Sequence, residues 1–286
     1  MAFPLALVLL SQTQQFVPNV APGHVVLSFA WSKDGKRLAY CDGNIDPKKF
    51  DPAKIHPSVV EVDGTNRRTF DPVAFSADFA PDGKSLLLGT AEGKMHTLSL
   101  LDLATKAVKR FTDGPADSSG FYSPDGQTII FNSERGDDLQ VYSMNADGTG
   151  AHALTQGPGK AYNPMWSMDG KSVVYYRELG DRKDQVYVIN ADGTGEKHLS
   201  DSAAHNFYPA FLADGSVSFT YFVAPSSGTI HIVGMDGRLI RKFPIPTSRL
   251  VWSPDGTKAA FIGGGFPASA LYVSNADGSN PVKVSE

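Results

Sequence analysis

Short apolar alternations recur along the chain, and six times one follows an aromatic residue, two variable residues and Asp-Gly. Val173 to Tyr176, Gln185 to Ile189 and Lys258 to Ile262 have the length and two-residue patterning of strands. The aromatic-x-x-Asp-Gly setting occurs six times, beginning at Trp31, Phe79, Tyr122, Trp166, Phe211 and Trp252. Its aspartates, Asp34, Asp82, Asp125, Asp169, Asp214 and Asp255, are spaced by 48, 43, 44, 45 and 41 residues. A period in the forties is that of a four-stranded propeller blade.

A second Asp-Gly follows within most units. From first to second aspartate the offset is 22 residues for Asp125 to Asp147, 23 for Asp169 to Asp192, and 22 for Asp214 to Asp236 and Asp255 to Asp277. The first unit stretches this to 29, Asp34 to Asp63, and the second has Ala104-Thr105 where the pair is expected. Asp-Gly suits a tight hairpin because glycine takes positive φ without steric cost while aspartate bonds nearby backbone.

Each unit therefore reads as strand A ending at the aromatic, a turn, strand B, a variable loop, strand C, a second turn and strand D. One such sheet cannot bury both faces, whereas several packed radially can. The predicted fold is all-β, a six-bladed β-propeller of four-stranded antiparallel blades spanning residues 24–286, with residues 1–23 as an N-terminal extension. The aromatic before each first turn is expected in the core between blades. Twenty-eight glycines and 19 prolines agree with a chain rich in turns rather than long helices.

Phe3 to Leu10 is the one long apolar run, far too short to cross a bilayer as a helix. It reads either as the apolar part of a secretory signal, without a basic leader or a small-x-small cleavage site, or as a packed strand. Periplasmic or secreted location is the first expectation and cytoplasmic the other. Hydrophobic residues make up 41% and charged residues 20%, so a sizeable core is available. A net charge of −4 removes the electrostatic case for nucleic-acid binding. A single cysteine, Cys41, excludes an intramolecular disulfide and reads as a small buried hydrophobe.

The strings Trp252-Ser253-Pro254-Asp255-Gly256, Tyr122-Ser123-Pro124-Asp125-Gly126, Val141 to Gly150 and Val186 to Gly195 closely resemble the repeats of TolB-type propellers. The same repeat type occurs in the propeller domains of prolyl-oligopeptidase-like enzymes. The resemblance covers about nine tenths of the chain and implies a stand-alone propeller, without the N-terminal α/β domain of TolB. It implies no peptidase, because no G-x-S-x-G pentapeptide is present. This repeat encodes turns and packing, so the fold it implies leaves function open.

In this strand order the stereotyped Asp-Gly turns share one face, while the irregular B-to-C and D-to-A segments share the other. Variable loops on a rigid scaffold are where sites are placed. The D-to-A segments supply Asp71, Phe75 and Asp78; Asp117, Ser118 and Ser119; Lys160, Tyr162 and Asn163; His205, Asn206, Phe207 and Tyr208; and Arg249. The B-to-C loops add Glu134, Arg135, Asp137 and Asp138, then Arg177, Glu178, Asp181, Arg182 and Asp184. The expected ligand-binding set is Lys160, Tyr162, Asn163, His205, Asn206, Phe207, Tyr208, Arg249, Arg135 and Arg177. The first blade carries the largest insertion, Cys41 to Pro57, read as tolerated loop length rather than as a lid over the channel mouth.

The seven histidines show no H-x-H or H-x-x-x-H pair, and only His205, with His24 and His56 as further candidates, maps to the variable face. Lyases of pectate type on similar repeats hold a metal with several mouth-facing histidines, a set this chain does not match. Asn-Ala-Asp-Gly lacks the later bidentate glutamate of a calcium loop. No cofactor, metal or catalytic residue is therefore expected. The favoured reading is a monomeric, non-enzymatic scaffold binding a protein or peptide through the channel mouth. The alternative is a carbohydrate-active lyase or hydrolase using the same mouth, with an auxiliary propeller acting beside a separate enzyme as a third reading.

Overall fold

A computed structural model describes residues 22–285 except 47–48, 50, 93–94, 180–183, 201–203, 224–227 and 266–267. The predicted extension, residues 1–23, lies almost wholly outside the described residues. Six four-stranded antiparallel sheets are present, each built from four consecutive strands. Blade one comprises β1 (Gly23–Trp31), β2 (Arg37–Ile45), β3 (Ile55–Glu61) and β4 (Arg68–Thr69). Blade two follows with β5 (Ala74–Phe79), β6 (Ser85–Glu92), β7 (Met95–Asp102) and β8 (Val108–Arg110). The third has β9 (Ser118–Tyr122), β10 (Thr128–Ser133), β11 (Gln140–Asn145) and β12 (His152–Ala153). In the fourth are β13 (Lys160–Trp166), β14 (Ser172–Glu178), β15 (Asp184–Asn190) and β16 (Lys197–His198). The fifth holds β17 (His205–Phe211), β18 (Val217–Phe222), β19 (Thr229–Val233) and β20 (Leu239–Lys242). Blade six ends the chain with β21 (Leu250–Trp252), β22 (Lys258–Gly265), β23 (Ala268–Asn275) and β24 (Val282–Lys283). The fourth strand of each blade runs only two to four residues, which keeps the outer sheet edges short.

The first turn shows why its motif recurs. In blade one the Ser32 hydroxyl donates to Asp34 Oδ1 (2.6 Å), which also accepts from the Lys36 N–H (3.1 Å). Ser32 Oγ accepts from the Arg37 N–H (2.9 Å), and Gly35 takes φ 67°. Ser123–Asp125, Ser167–Asp169 and Ser253–Asp255 repeat the arrangement. These hydrogen bonds, led by the serine hydroxyl, hold each aspartate below its ordinary carboxylate pKa. In the irregular second turn of blade two Ala104-Thr105 stand where Asp-Gly stands elsewhere, since the Leu103 N–H donates to the Lys84 carbonyl as the Ala146 N–H does to that of Gln127. Asp102 Oδ1 accepts from the N–H groups of Ala104 and Thr105, and Lys106 takes the positive φ (62°) that glycine supplies elsewhere.

The core lies between blades. Buried clusters join blades one and two (Ala39, Val59, Ala77, Leu86), two and three (Leu87, Leu98, Ile129, Phe131), and four and five (Val174, Val186, Phe211, Phe219). Others join three and four (Phe121, Ile130, Val173, Tyr175), five and six (Ile230, Ile232, Trp252, Phe261), and six and one (Val251, Leu271, Phe29, Leu38). Of the six first-turn aromatics, Trp31, Phe79, Phe211 and Trp252 are buried, while Tyr122 and Trp166 are half-buried. Each tryptophan indole reaches the preceding blade: Trp166 Nε1 donates to the Phe121 carbonyl (3.2 Å), Trp252 Nε1 to Ser218 Oγ (2.9 Å) and Trp31 Nε1 to the Val251 carbonyl (3.1 Å). The last of these closes the ring.

Closure uses no shared strand among the described residues. Besides Trp31, the Val26 N–H donates to Ser269 Oγ (3.1 Å), and His24 bridges the Ser269 carbonyl (3.1 Å) and Asp42 Oδ2 (2.9 Å). Arg67 also pairs with Asp42 (3.2 Å). The blade-one insertion is shorter than its sequence limits, because β2 runs through Ile45 and β3 resumes at Ile55, with a single 3-10 turn at Pro52–Lys54 between them.

Candidate functional site

The innermost strands, β1, β5, β9, β13, β17 and β21, begin at the variable face and run down the central channel. Five of them lose register with strand B partway along, around Leu27, Phe75, Ser119, Asn163 and Tyr208. Ser119, Asn163 and Tyr208 adopt φ of 51°, 48° and 53° there. All three stand three residues before the first-turn aromatic, where Ser28, Ser76 and Arg249 occupy the same place in the other blades. An irregularity of this kind re-aims side chains next to sites. One polar residue from each blade is thus delivered to one level of the channel.

Above that level, blades four and five bring a group together at the mouth. The Tyr162 hydroxyl donates to Glu178 Oε2 (3.3 Å), and its ring stacks on Tyr176 at 5.3 Å between centroids. Tyr176 meets Phe207 and Tyr208 edge-on, and Phe207 continues to Phe222 at 6.2 Å. His205 Nδ1 is hydrogen-bonded to Asp184 Oδ2 at 3.2 Å, with both side chains partly exposed. Glu178 ends β14 and Asp184 opens β15, and they face each other across that hairpin.

Burial pushes the Asp184 carboxyl up from its ordinary pKa, against the favourable His205 contact, and the nearby Glu178 adds to the rise. Burial and then Glu178 push the Tyr162 phenol up, so this hydroxyl is a hydrogen-bond donor and not a base at neutral pH. With Nδ1–H donated to Asp184, the His205 Nε2 is the ring atom left to face a ligand. The group offers an aromatic shelf, a carboxylate-oriented imidazole and acceptor oxygens.

Other predicted site residues are placed elsewhere. Lys160 is exposed at the start of β13, opposite Glu178. Arg135 donates to Asp117 Oδ2 (2.6 Å), whose side chain is 0% exposed, and lies over the Phe131 ring. Arg177 is only 3% exposed. It reaches the carbonyls of Gln156 (3.1 Å) and Pro158 (3.2 Å), the Tyr175 hydroxyl (3.3 Å) and Glu196 (2.9 Å), so it ties the segment before β13 to the sheet. Asn206 is fully buried, donating to the Ala204 carbonyl (3.0 Å). Asp78 lies mid-strand, accepting from the Tyr122 N–H of the next blade (3.0 Å). Asp181 and Arg182 lie outside the described residues.

Asn163 and Arg249 sit one level below the mouth, where Asn163, Met165, Tyr208, Pro209, Arg249 and Phe121 line a narrow pocket. Among the described residues no group of three His, Cys, Asp or Glu side chains is placed to hold a metal ion. Cys41 is buried, and desolvation pushes its thiol up to about 12, leaving no thiolate for nucleophilic chemistry at neutral pH. Sequence reasoning named these residues singly and missed the Tyr162–Glu178 and His205–Asp184 pairings. The polar residue three places before each first-turn aromatic is the signal by which the channel level is found.

A family model described as TolB beta propeller domain matches residues 14–248. The Tol-Pal system protein TolB of Francisella tularensis subsp. holarctica is 28% identical over 153 residues, 52% of this chain and 34% of that protein. The match thus spans about a third of that relative's length. Among solved structures, TolB from Acinetobacter baumannii superposes with a TM-score of 0.68 at 15% identity, covering 97% of this chain and 82% of that one. An oligogalacturonate lyase in complex with manganese gives 0.61 at 15% identity, covering 94% and 79%. At such identities the two structures establish likeness of fold alone. With its matched span covering most of the residues and its six blades in chain order, the chain belongs to the TolB β-propeller domain family.

Proposed function

We propose that the chain is a non-enzymatic scaffold whose channel mouth takes a peptide or an exposed segment of a partner protein. The observation that carries this reading is an aromatic cluster at the mouth, in which half-buried Phe207, Tyr208 and Phe222 rest on buried Tyr162 and Tyr176, edged by His205 and Asp184. Aromatic surface with a few fixed polar groups favours binding by contact area and orientation. The similarity to a Tol-Pal system protein supports a protein partner and a periplasmic or secreted location. The scaffold acts as a monomer spanning residues 24–286, with neither nucleic acid nor a membrane-spanning helix in its task.

The test is crosslinking and pull-down with wild type and a Tyr162→Ala/His205→Ala variant of equal stability. The variant is expected to lose its partners by at least tenfold in recovery, and identical partner sets would sink the reading. A carbohydrate-active site is the second reading, favoured by the carboxylate-oriented His205 and by the likeness to an oligogalacturonate lyase. Turnover of a polysaccharide panel with added manganese, abolished by His205→Ala, is the result that would replace the scaffold reading.

A further inference from the structure

Arg249 is 8% exposed and stands at the channel level supplied by strand A of every blade. Its guanidinium carbon lies over the rings of Phe29 (5.3 Å) and Tyr208 (5.2 Å), two cation–π contacts. Nη1 donates to the Leu27 carbonyl (3.2 Å), which uses one of its five N–H groups. No carboxylate among the described residues pairs with it, and the groups that act on its charge are Tyr208, Tyr176 and Cys41. Burial lowers its pKa, yet an arginine stays protonated at neutral pH. Buried charges in proteins are paired or hydrogen-bonded.

The same pocket holds an unpartnered donor. Asn163 is 6% exposed, held at φ 48°, with its backbone N–H bonded to Asn132 Oδ1 (3.2 Å). Its side-chain Nδ2 is buried and has no hydrogen-bond partner among the described residues. Nδ2 is a donor only, as are the remaining guanidinium N–H groups. Two donor groups, one carrying a full positive charge, thus line a narrow pocket with room for a guest little larger than a water molecule, whose other walls are Phe121, Met165, Tyr208, Pro209, Leu250 and Val251.

We infer that the channel binds one small monovalent anion, a halide or a single carboxylate group, between the Arg249 guanidinium and Asn163 Nδ2. The single uncompensated charge sets the valence, and the apolar walls disfavour a more heavily charged or extended oxyanion. The site lies below the mouth and does not depend on the scaffold reading.

The test uses the full chain and bromide. Replacing isethionate by bromide at constant ionic strength is expected to raise the thermal midpoint by roughly 2 to 4 °C as the site saturates. Formate in place of bromide tells a carboxylate from a halide. Arg249→Met is expected to abolish the rise, while Tyr162→Ala retains it. Crystals grown in bromide should show anomalous density against the guanidinium. Absence of that density, or an equal rise in Arg249→Met, overturns the proposal. The crystallographic arm decides the matter on wild type even if Arg249→Met fails to fold. Water alone in the pocket counts as refutation.

Discussion

Arg135 lies on the variable face, where an arginine reads as a docking group, but its geometry gives it a structural task that can be measured. Asp117 Oδ2 accepts from Arg135 at 2.6 Å, the Asp117 side chain is fully buried, and Oδ1 is without a hydrogen-bond partner among the described residues. Replacing Arg135 by methionine keeps an apolar stem of similar length and removes the one positive group that, among the described residues, pairs with that carboxylate. Breaking a buried pair from one side leaves an uncompensated charge, at a cost of roughly 3 to 5 kcal/mol. At about 2 to 3 °C per kcal/mol for a chain of this size, the thermal midpoint should fall by roughly 6 to 15 °C. Urea unfolding followed by tryptophan fluorescence gives the free energy directly. Adding Asp117→Asn to Arg135→Met should recover much of the loss, because the buried charge is gone. Lys160→Met, at an exposed site, is the control with no expected change. A loss below about 1 kcal/mol for Arg135→Met would refute the clamp, since that is the scale of a solvated surface pair.

The ring seam is tested by Trp31→Phe, which removes the indole hydrogen bond to the Val251 carbonyl and should cost roughly 0.5 to 1.5 kcal/mol; a smaller loss than in Trp166→Phe would show a seam weaker than an internal junction. His24 has a raised pKa because it bonds Asp42, so its contribution is present below the unfolded value near 6.5 and lost as pH rises through the folded pKa; His24→Gln should flatten the stability profile in that window. Burial pushes the Asp78 carboxyl up to about 7 despite the Tyr122 and Phe79 N–H groups, so ionising it destabilises the fold as pH climbs from about 4 to 7. Asp78→Asn should therefore gain up to about 4 kcal/mol relative to wild type at pH 8 and little at pH 4, and a gain independent of pH would argue against an ionising carboxyl.

The fold was legible because the Ser-x-Asp-Gly turn needs its residues at fixed offsets: hydroxyl, carboxylate and positive-φ glycine act within five positions. Where another residue can do the job, as Lys106 does for glycine, the motif disappears from the sequence while the turn survives. The site was legible only as a region. Arg177 and His205 look alike in a string of polar residues, yet Arg177 reaches back about 20 positions to carbonyls before β13 and is used up there. Such partners depend on where loops return, which no local pattern records. The insertion at Cys41 to Pro57 shows the same limit, since β2 and β3 extend into it from both ends.

Because every blade is a contiguous segment and the first and last blades meet through side chains, parting that boundary would rupture no ladder hydrogen bond among the described residues. The molecule resembles a split washer more than a welded hoop. Gaping there would expose the faces carrying Phe29, Leu38, Val251 and Leu271 while all six sheets stayed whole. Any widening of the bore for a bulky guest has its cheapest path at this joint, with His24 and Trp31 acting as the latch.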